Sequence, residues 1–179
     1  MATKDSSIEH DVKFLDHLWN NSRWSKNGVI SYDQYKTLLN VGEIQIETFI
    51  ENVMADNSGG TFVKESGDGR DFSDDSDAKK SIVQFHRGRY DAAINSIRNK
   101  LGTLRVIVYD KHNNKFHYFK IPKSAYGNIS MIEISFNIKN GNESICKPNR
   151  NTKWWAYEVD TFEELCNDSL VKNTSNKFF

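Results

Sequence analysis

A chain of 179 residues and 20.7 kDa lies in the size range of one domain, and a composition 37% hydrophobic and 12% aromatic suffices for a packed core, which excludes wholesale disorder. Lys plus Arg and Asp plus Glu each total 24, and taken as a whole this zero net charge speaks against a nucleic-acid-binding protein. A membrane-spanning helix needs about 18 or more consecutive apolar residues, whereas the apolar runs here, such as Val106-Ile107-Val108, are strand-sized. The opening MATKDSSIEHD has no apolar core of the secretory kind, so a cytoplasmic location is expected. Cys146 and Cys166 stand far apart without further thiols, which argues against a disulfide framework or a cysteine zinc site. The five histidines show no HxxxH or HExxH spacing, and neither a glycine-rich phosphate loop nor a G-x-S-x-G elbow occurs.

In chain order, Ser6 to Glu9 forms a capping box ahead of Ile8, Val12, Leu15, Leu18 and Trp19, predicting a first amphipathic helix to about Asn20. A polar turn ends at Asn27-Gly28, Ser31 caps a second helix through Leu39, and Gly42 breaks it. Ile46, Phe49, Ile50, Val53 and Met54 make one stripe, predicting a helix over Glu43 to Ala55. Thr61 to Lys64 and Ala78 to Phe85 read as strands, separated by a glycine- and aspartate-rich stretch. Tyr90, Ala93, Ile94, Ile97 and Leu101 recur at helical spacing, predicting a helix closed by Gly102. Leu104 to Tyr109 and Lys115 to Ile121 flank the turn 110–114 as a hairpin that Pro122 ends. Met131 to Ile138 alternates as a further strand, 141–153 reads as loop, and Thr161 to Glu164 is a second capping box before a last short helix and a tail. The order predicts an α/β (α+β) fold with a mixed central β-sheet flanked by helices. It forms a single domain with an N-terminal helical part (1–42), a core (43–138) and a C-terminal loop, helix and tail (139–179).

The segment from Asp56 to Asp77 holds seven acids against two bases, a density that repels itself unless solvated or bound to a cation. An exposed acidic loop is the plain alternative. Asp77 and Lys79, however, are two residues apart on a predicted strand and so share a face. If Asp71 ends the preceding strand and Ser73 to Ser76 make the turn, Asp71 comes opposite Asp77, close enough to share a hard cation such as Mg²⁺ or Mn²⁺. A calcium loop counted from Asp71 needs Gly and Glu where Ser76 and Ile82 stand, and fails.

Asp77-Ala78-Lys79 with an acid before it resembles the PD-(D/E)xK nuclease superfamily, which includes many restriction endonucleases. In that superfamily an acid ending one strand and a (D/E)xK tripeptide on the next form the metal and catalytic centre. The resemblance implies a restriction-endonuclease-like core over Glu43 to Leu101, with Asp71, or next Asp68, as first acid and Asp77 and Lys79 as the tripeptide. Asp71, Asp77 and Asp68 are the implied metal ligands. Gly67 or Arg70 stands where the family often has Pro. A helix-borne Glu is common there too, and Glu47, bordering the apolar stripe, fits better than Glu51. The carboxylates would hold one or two Mg²⁺ against a phosphodiester, and Lys79 would orient or deprotonate water or neutralise developing charge.

From Lys79 to Lys123 there are eleven bases and two acids, a local net charge of +9 that suits a polyanion. Lys80, Arg87, Arg89 and Arg105 lie within it; Arg87 and Arg89 precede the predicted helix, where phosphate is favoured, and Lys153 joins Trp154 and Trp155 in a second basic and aromatic cluster. These Trp residues serve equally as core anchors. The zero net charge thus averages two opposed segments. The expectation is a Mg²⁺-dependent DNA endonuclease, a homodimer because duplex cutting is commonly done by two symmetric sites. The alternatives are a non-catalytic nucleic-acid-binding module and a phage-type protein-interaction factor.

Overall fold

A computed structural model describes residues 14–20, 22–40, 50–140 and 143–170. The expected capping box at Ser6 to Glu9, Gly42, Glu47 and the tail beyond 170 lie outside the described residues. Helix α1 (residues 14–20) is followed by α2 (Arg23–Asn27) and α3 (Tyr32–Asn40). The short α2 stands where only a polar turn was expected: Ser22 accepts from the Ser25 amide, and Gly28 ends the helix at φ 68°. Ser31 Oγ accepts from the Gln34 amide (3.2 Å) while Gln34 Oε1 accepts from the Ser31 amide (2.8 Å), a reciprocal box that starts α3. Helix α4 (Ile50–Asp56) buries Ile50, Val53 and Met54, the stripe read from the sequence.

The strands are β1 (Lys64–Gly67), β2 (Arg70–Phe72), β3 (Asp77–Ile82), β4 (Gln84–His86), β5 (Arg89–Asn95), β6 (Leu104–Asp110) and β7 (Lys115–Ile121). Helix α5 (Lys123–Tyr126), β8 (Met131–Ser135), β9 (Asn137–Asn140), β10 (Glu143–Cys146), β11 (Glu158–Val159) and α6 (Phe162–Cys166) follow. One mixed sheet runs β11-β7-β6-β3, with β3 parallel to β6 and the other pairs antiparallel. A three-stranded antiparallel sheet runs β4-β5-β8, and β1-β2 and β9-β10 are small ribbons. The fold is α+β, as the element order predicts.

Several sequence expectations are corrected; the strand expected over Thr61 to Lys64 begins only at Lys64. Arg89–Asn95 is a strand, not a helix: its Ala92 and Ile94 are buried by pairing with β8, and 96–103 is a turn-rich connection. The apolar residues from Tyr90 to Leu101 fit helical spacing only because the strand's buried positions and Ile97 of the next turn happen to add up to that period. The parallel step from β3 to β6 therefore passes through a hairpin instead of a helix. The loop expected over 141–153 contains β10.

All seven residues of β6 are buried because the mixed sheet is covered on both faces. Ile107, Tyr109, Phe116 and Tyr118 pack under the helices, on Phe14, Leu18, Tyr35, Val53 and Phe162. Leu104, Val106, Val108, Phe119 and Ile121 pack on Ala92, Ile94, Ile132, Ile134 and Trp155. The N-terminal helices and α6 thus cover one face, and the second sheet covers the other together with Tyr126 of α5 and Trp155 of the 3-10 helix Lys153–Tyr157. The chain passes between the sheets at buried Val83, whose amide donates to Tyr109 O (2.9 Å).

Arg105, expected to face nucleic acid, is instead 1% exposed at the centre of this packing. Its Nε donates to Ser76 Oγ (3.0 Å), Nη1 to Leu165 O (2.7 Å) and Asp168 Oδ1 (3.0 Å), and Nη2 to Asp74 Oδ2 (2.8 Å) and Asp168 Oδ2 (2.7 Å). The fork of the guanidinium is fully used, and its face lies 4.2 Å from the Phe62 ring centre. Lys120 Nζ also donates to Asp168 (2.6 Å). Against the upward push of burial, Arg105 and Lys120 pull the Asp168 carboxyl down to about 2. Replacing Arg105 by Met fits the volume but leaves Asp168 with Lys120 and Asp74 with Ser76, neither with its guanidinium. Removing one partner of a buried pair costs about 3–5 kcal/mol, and partial exposure of both acids places the expected loss near the lower end. Urea unfolding of Arg105→Met checks this, and a loss under about 1 kcal/mol would contradict it.

Candidate metal and catalytic site

The acidic turn joins β2 to β3. The Asp71 and Phe72 amides both donate to Ser76 O (3.1 and 3.2 Å), Asp75 takes φ 69°, and Asp74 Oδ1 accepts from the Ser76 amide (3.0 Å) and hydroxyl. Because Asp74 and Ser76 are both held by Arg105, the turn has one shape, and that shape sets Asp71 beside Asp77. Asp71 Oδ2 accepts from the amide of Ala78, the residue after Asp77 (2.9 Å), which sets its carboxylate beside the start of β3.

Alternation along β3 places Asp77, Lys79 and Ser81 on the face of their β6 neighbours Leu104, Val106 and Val108, towards the second sheet. Ala78, Lys80 and Ile82 point the other way. Asp77 is 1% exposed, and its amide donates to Thr103 O (2.9 Å). Lys79 Nζ, on the same strand face, stands 3.8 Å from Asp77 Oδ2. A second ammonium, Lys100 Nζ, donates to Asp77 Oδ1 at 3.0 Å. The connection carrying Lys100 is tied down by the Leu101 amide on Gly69 O (3.1 Å) and by Tyr126, whose hydroxyl donates to Gly102 O (2.5 Å).

Burial pushes the Asp77 carboxyl up to about 6; Lys100 opposes this and neighbouring Asp71 adds to it. Burial likewise lowers Lys79, with Asp77 opposing and Lys100 assisting. The site therefore concentrates two carboxylates and two ammoniums where solvent helps little.

The donor set fits a hard divalent cation. Mg²⁺ is commonly held by one or two carboxylates, with water and substrate oxygens completing its shell, and Asp71 and Asp77 supply that number. Among the described residues no group of three Asp, Glu, His or Cys is placed to hold a metal, so Asp68, in the exposed turn between β1 and β2, does not join the pair. Glu47 lies outside the described residues.

The other expected nucleic-acid contacts are scattered. Arg87 and Arg89 sit at the β4-β5 hairpin tip, where Arg87 (φ 52°) and Gly88 (φ 77°) make the turn; the helix start expected there does not exist. Arg89 pairs with Asp91 (3.3 Å) and Glu133 (3.4 Å). Lys80 lines a cleft of about 320 Å³ with Gln84, His86 and Asp91, on the face of β3 opposite Lys79. Lys153 lies over the Trp154 ring at 4.4 Å, while Trp155 is a buried anchor donating to Ser135 O (2.7 Å). Sequence reading missed Lys100 and Tyr126. Lys100 fell inside the mistaken helix, and nothing in the sequence ties Tyr126 to the acidic turn.

An acid whose pKa is raised on folding stabilises the fold below its unfolded value and loses that contribution as pH rises through the folded value. Stability should therefore fall from the ordinary aspartate value near 3.8 towards about 6, by on the order of 2–3 kcal/mol. Asp77→Asn should flatten this part of the profile. Chemical denaturation of both proteins across pH 4–7 tests it, and parallel profiles would contradict it.

Comparison with protein-family models, curated proteins and solved structures finds no match to this chain.

Proposed function

We propose that the chain is a divalent-cation-dependent nuclease of the PD-(D/E)xK kind, acting on DNA. The single observation that carries this reading is the gathering of Asp71, Asp77 and Lys79 at the start of β3: Asp71 accepts from the amide that follows Asp77 (2.9 Å), and the Lys79 ammonium stands 3.8 Å from the Asp77 carboxylate. A solvated acidic loop has no reason to bury Asp77 to 1% exposure between two lysines. Burying a charge is costly even when it is paired, and a cation and a phosphate arriving there would give the placement a use.

Asp71 and Asp77 would hold Mg²⁺ or Mn²⁺. When bound, the ion lowers the pKa of water and draws charge from the phosphoryl oxygens. Lys79, on the same strand face as Asp77, orients the attacking water and takes up negative charge as its oxygen bonds to phosphorus and the ester P–O bond breaks. The lowered pKa of Lys79 also suits it to proton transfer. The exposed hairpin-tip residue Arg87 and Lys153 are the remaining candidates for backbone phosphate contacts. Arg105 is not among them.

Supercoiled plasmid and short duplexes incubated with and without Mg²⁺ test the proposal. Cleavage should require the metal and fall by about a thousandfold in Asp71→Asn, Asp77→Asn and Lys79→Ala, while the three variants keep a cooperative unfolding transition. Metal-independent nucleic-acid binding without cleavage by the wild-type protein would overturn the proposal in favour of a binding module.

A further inference from the structure

Resting on the metal-site reading above, we infer that Lys100 is a resident counter-ion for Asp77, whose ammonium a divalent cation displaces when it binds. The (D/E)xK pattern supplies one lysine, and Lys79 already fills that position. Lys100 comes from a separate part of the chain, 23 residues from Asp77, and holds the shorter contact: 3.0 Å against 3.8 Å. Its side chain is 22% exposed, so part of it already reaches solvent.

The connection that delivers it is built against the acidic turn at several points. A Cβ on Gly69 would stand 2.5 Å from Asn99 O, and one on Gly102 would stand 2.7 Å from Asp75 O, so both contacts need glycine. With the bonds Leu101 N to Gly69 O, Asp77 N to Thr103 O and Tyr126 Oη to Gly102 O, backbone on both sides of Lys100 is fixed. Only the long side chain remains to adjust.

The consequence is competition for one oxygen. Asp77 Oδ1 is taken by Lys100, and Asp71 Oδ2 accepts the Ala78 amide. A cation that takes Asp77 Oδ1 must displace the Lys100 ammonium, and one held through Asp77 Oδ2 and Asp71 Oδ1 still meets the repulsion of its charge. A hydrogen bond between charged groups is worth about 1.5–3 kcal/mol net, so its removal should tighten metal binding about tenfold or more.

The test is direct Mg²⁺ and Mn²⁺ binding by calorimetry and by metal-dependent shift of the melting temperature, on wild type, Lys100→Met and Lys100→Arg, without DNA. Lys100→Met should bind about tenfold more tightly, and Lys100→Arg, which keeps the charge, should stay near wild type. Unfolding curves without metal establish that each variant folds; if Lys100→Met does not, Lys100→Gln takes its place. Equal or weaker binding by the neutral variant overturns the role of Lys100 and leaves the carboxylate site standing. Absence of binding to every protein, the neutral variant included, overturns both the inference and the metal-site reading beneath it.

Discussion

The Arg105 guanidinium is the contact on which the site depends. It reaches from the start of β6 to Asp74 and Ser76 in the acidic turn and to Leu165 of α6 and Asp168 just beyond it. Seven acids between Asp56 and Asp77 would drive a free loop into solvent. With Asp74 neutralised from inside, the turn closes tightly enough to bring Asp71 against Asp77. Mutual repulsion in that pair is then borne by packing elsewhere, in a sheet covered on both faces.

Asp77 is buried for a reason of topology. Its strand runs parallel to β6, and the Asp77–Leu104 pair lies at the start of that ladder. The connection from β5 to β6 must pass this end, and it carries Lys100 and Gly102 over the carboxylate. The same geometry that makes the parallel step short makes the site compact. Five residues from β2, β3, the β5-β6 connection and α5 converge there: Asp71, Asp77, Lys79, Lys100 and Tyr126.

Much of this was legible from the sequence. The hairpin of β6 and β7, the capped starts of α3 and α6 and the shared strand face of Asp77 and Lys79 all follow from local rules, because turn chemistry, capping and alternation act over a few residues. Three features were not local. Arg89–Asn95 was mistaken for a helix because two adjacent alanines and spaced apolar residues satisfy either period, and only pairing with β8 decides between them. Arg105 was read as a surface base, although a lone arginine in the apolar run Leu104 to Tyr109 of a buried strand demands an internal acid. Its partner Asp168 is 63 residues away, and no spacing rule reaches that far. Lys100 was hidden by the same mistaken helix. The zero net charge of the chain is accordingly not only an average of opposed segments. Part of it is cancelled inside the fold, at Arg105 and at Asp77, and part of the +9 stretch is not offered to a polyanion at all.

The central claim of the proposed function is that burial, with the Asp71 charge adding to it, holds the Asp77 carboxyl above its ordinary range, and that a divalent cation would relieve this. Carboxyl ¹³C NMR of the aspartates, titrated with and without Mg²⁺, measures that directly. Asp77 should titrate near 6 in the metal-free protein and move to markedly lower pH when Mg²⁺ is added. An Asp77 resonance that titrates near 3.8 without metal, or one that Mg²⁺ leaves in place, would contradict the account.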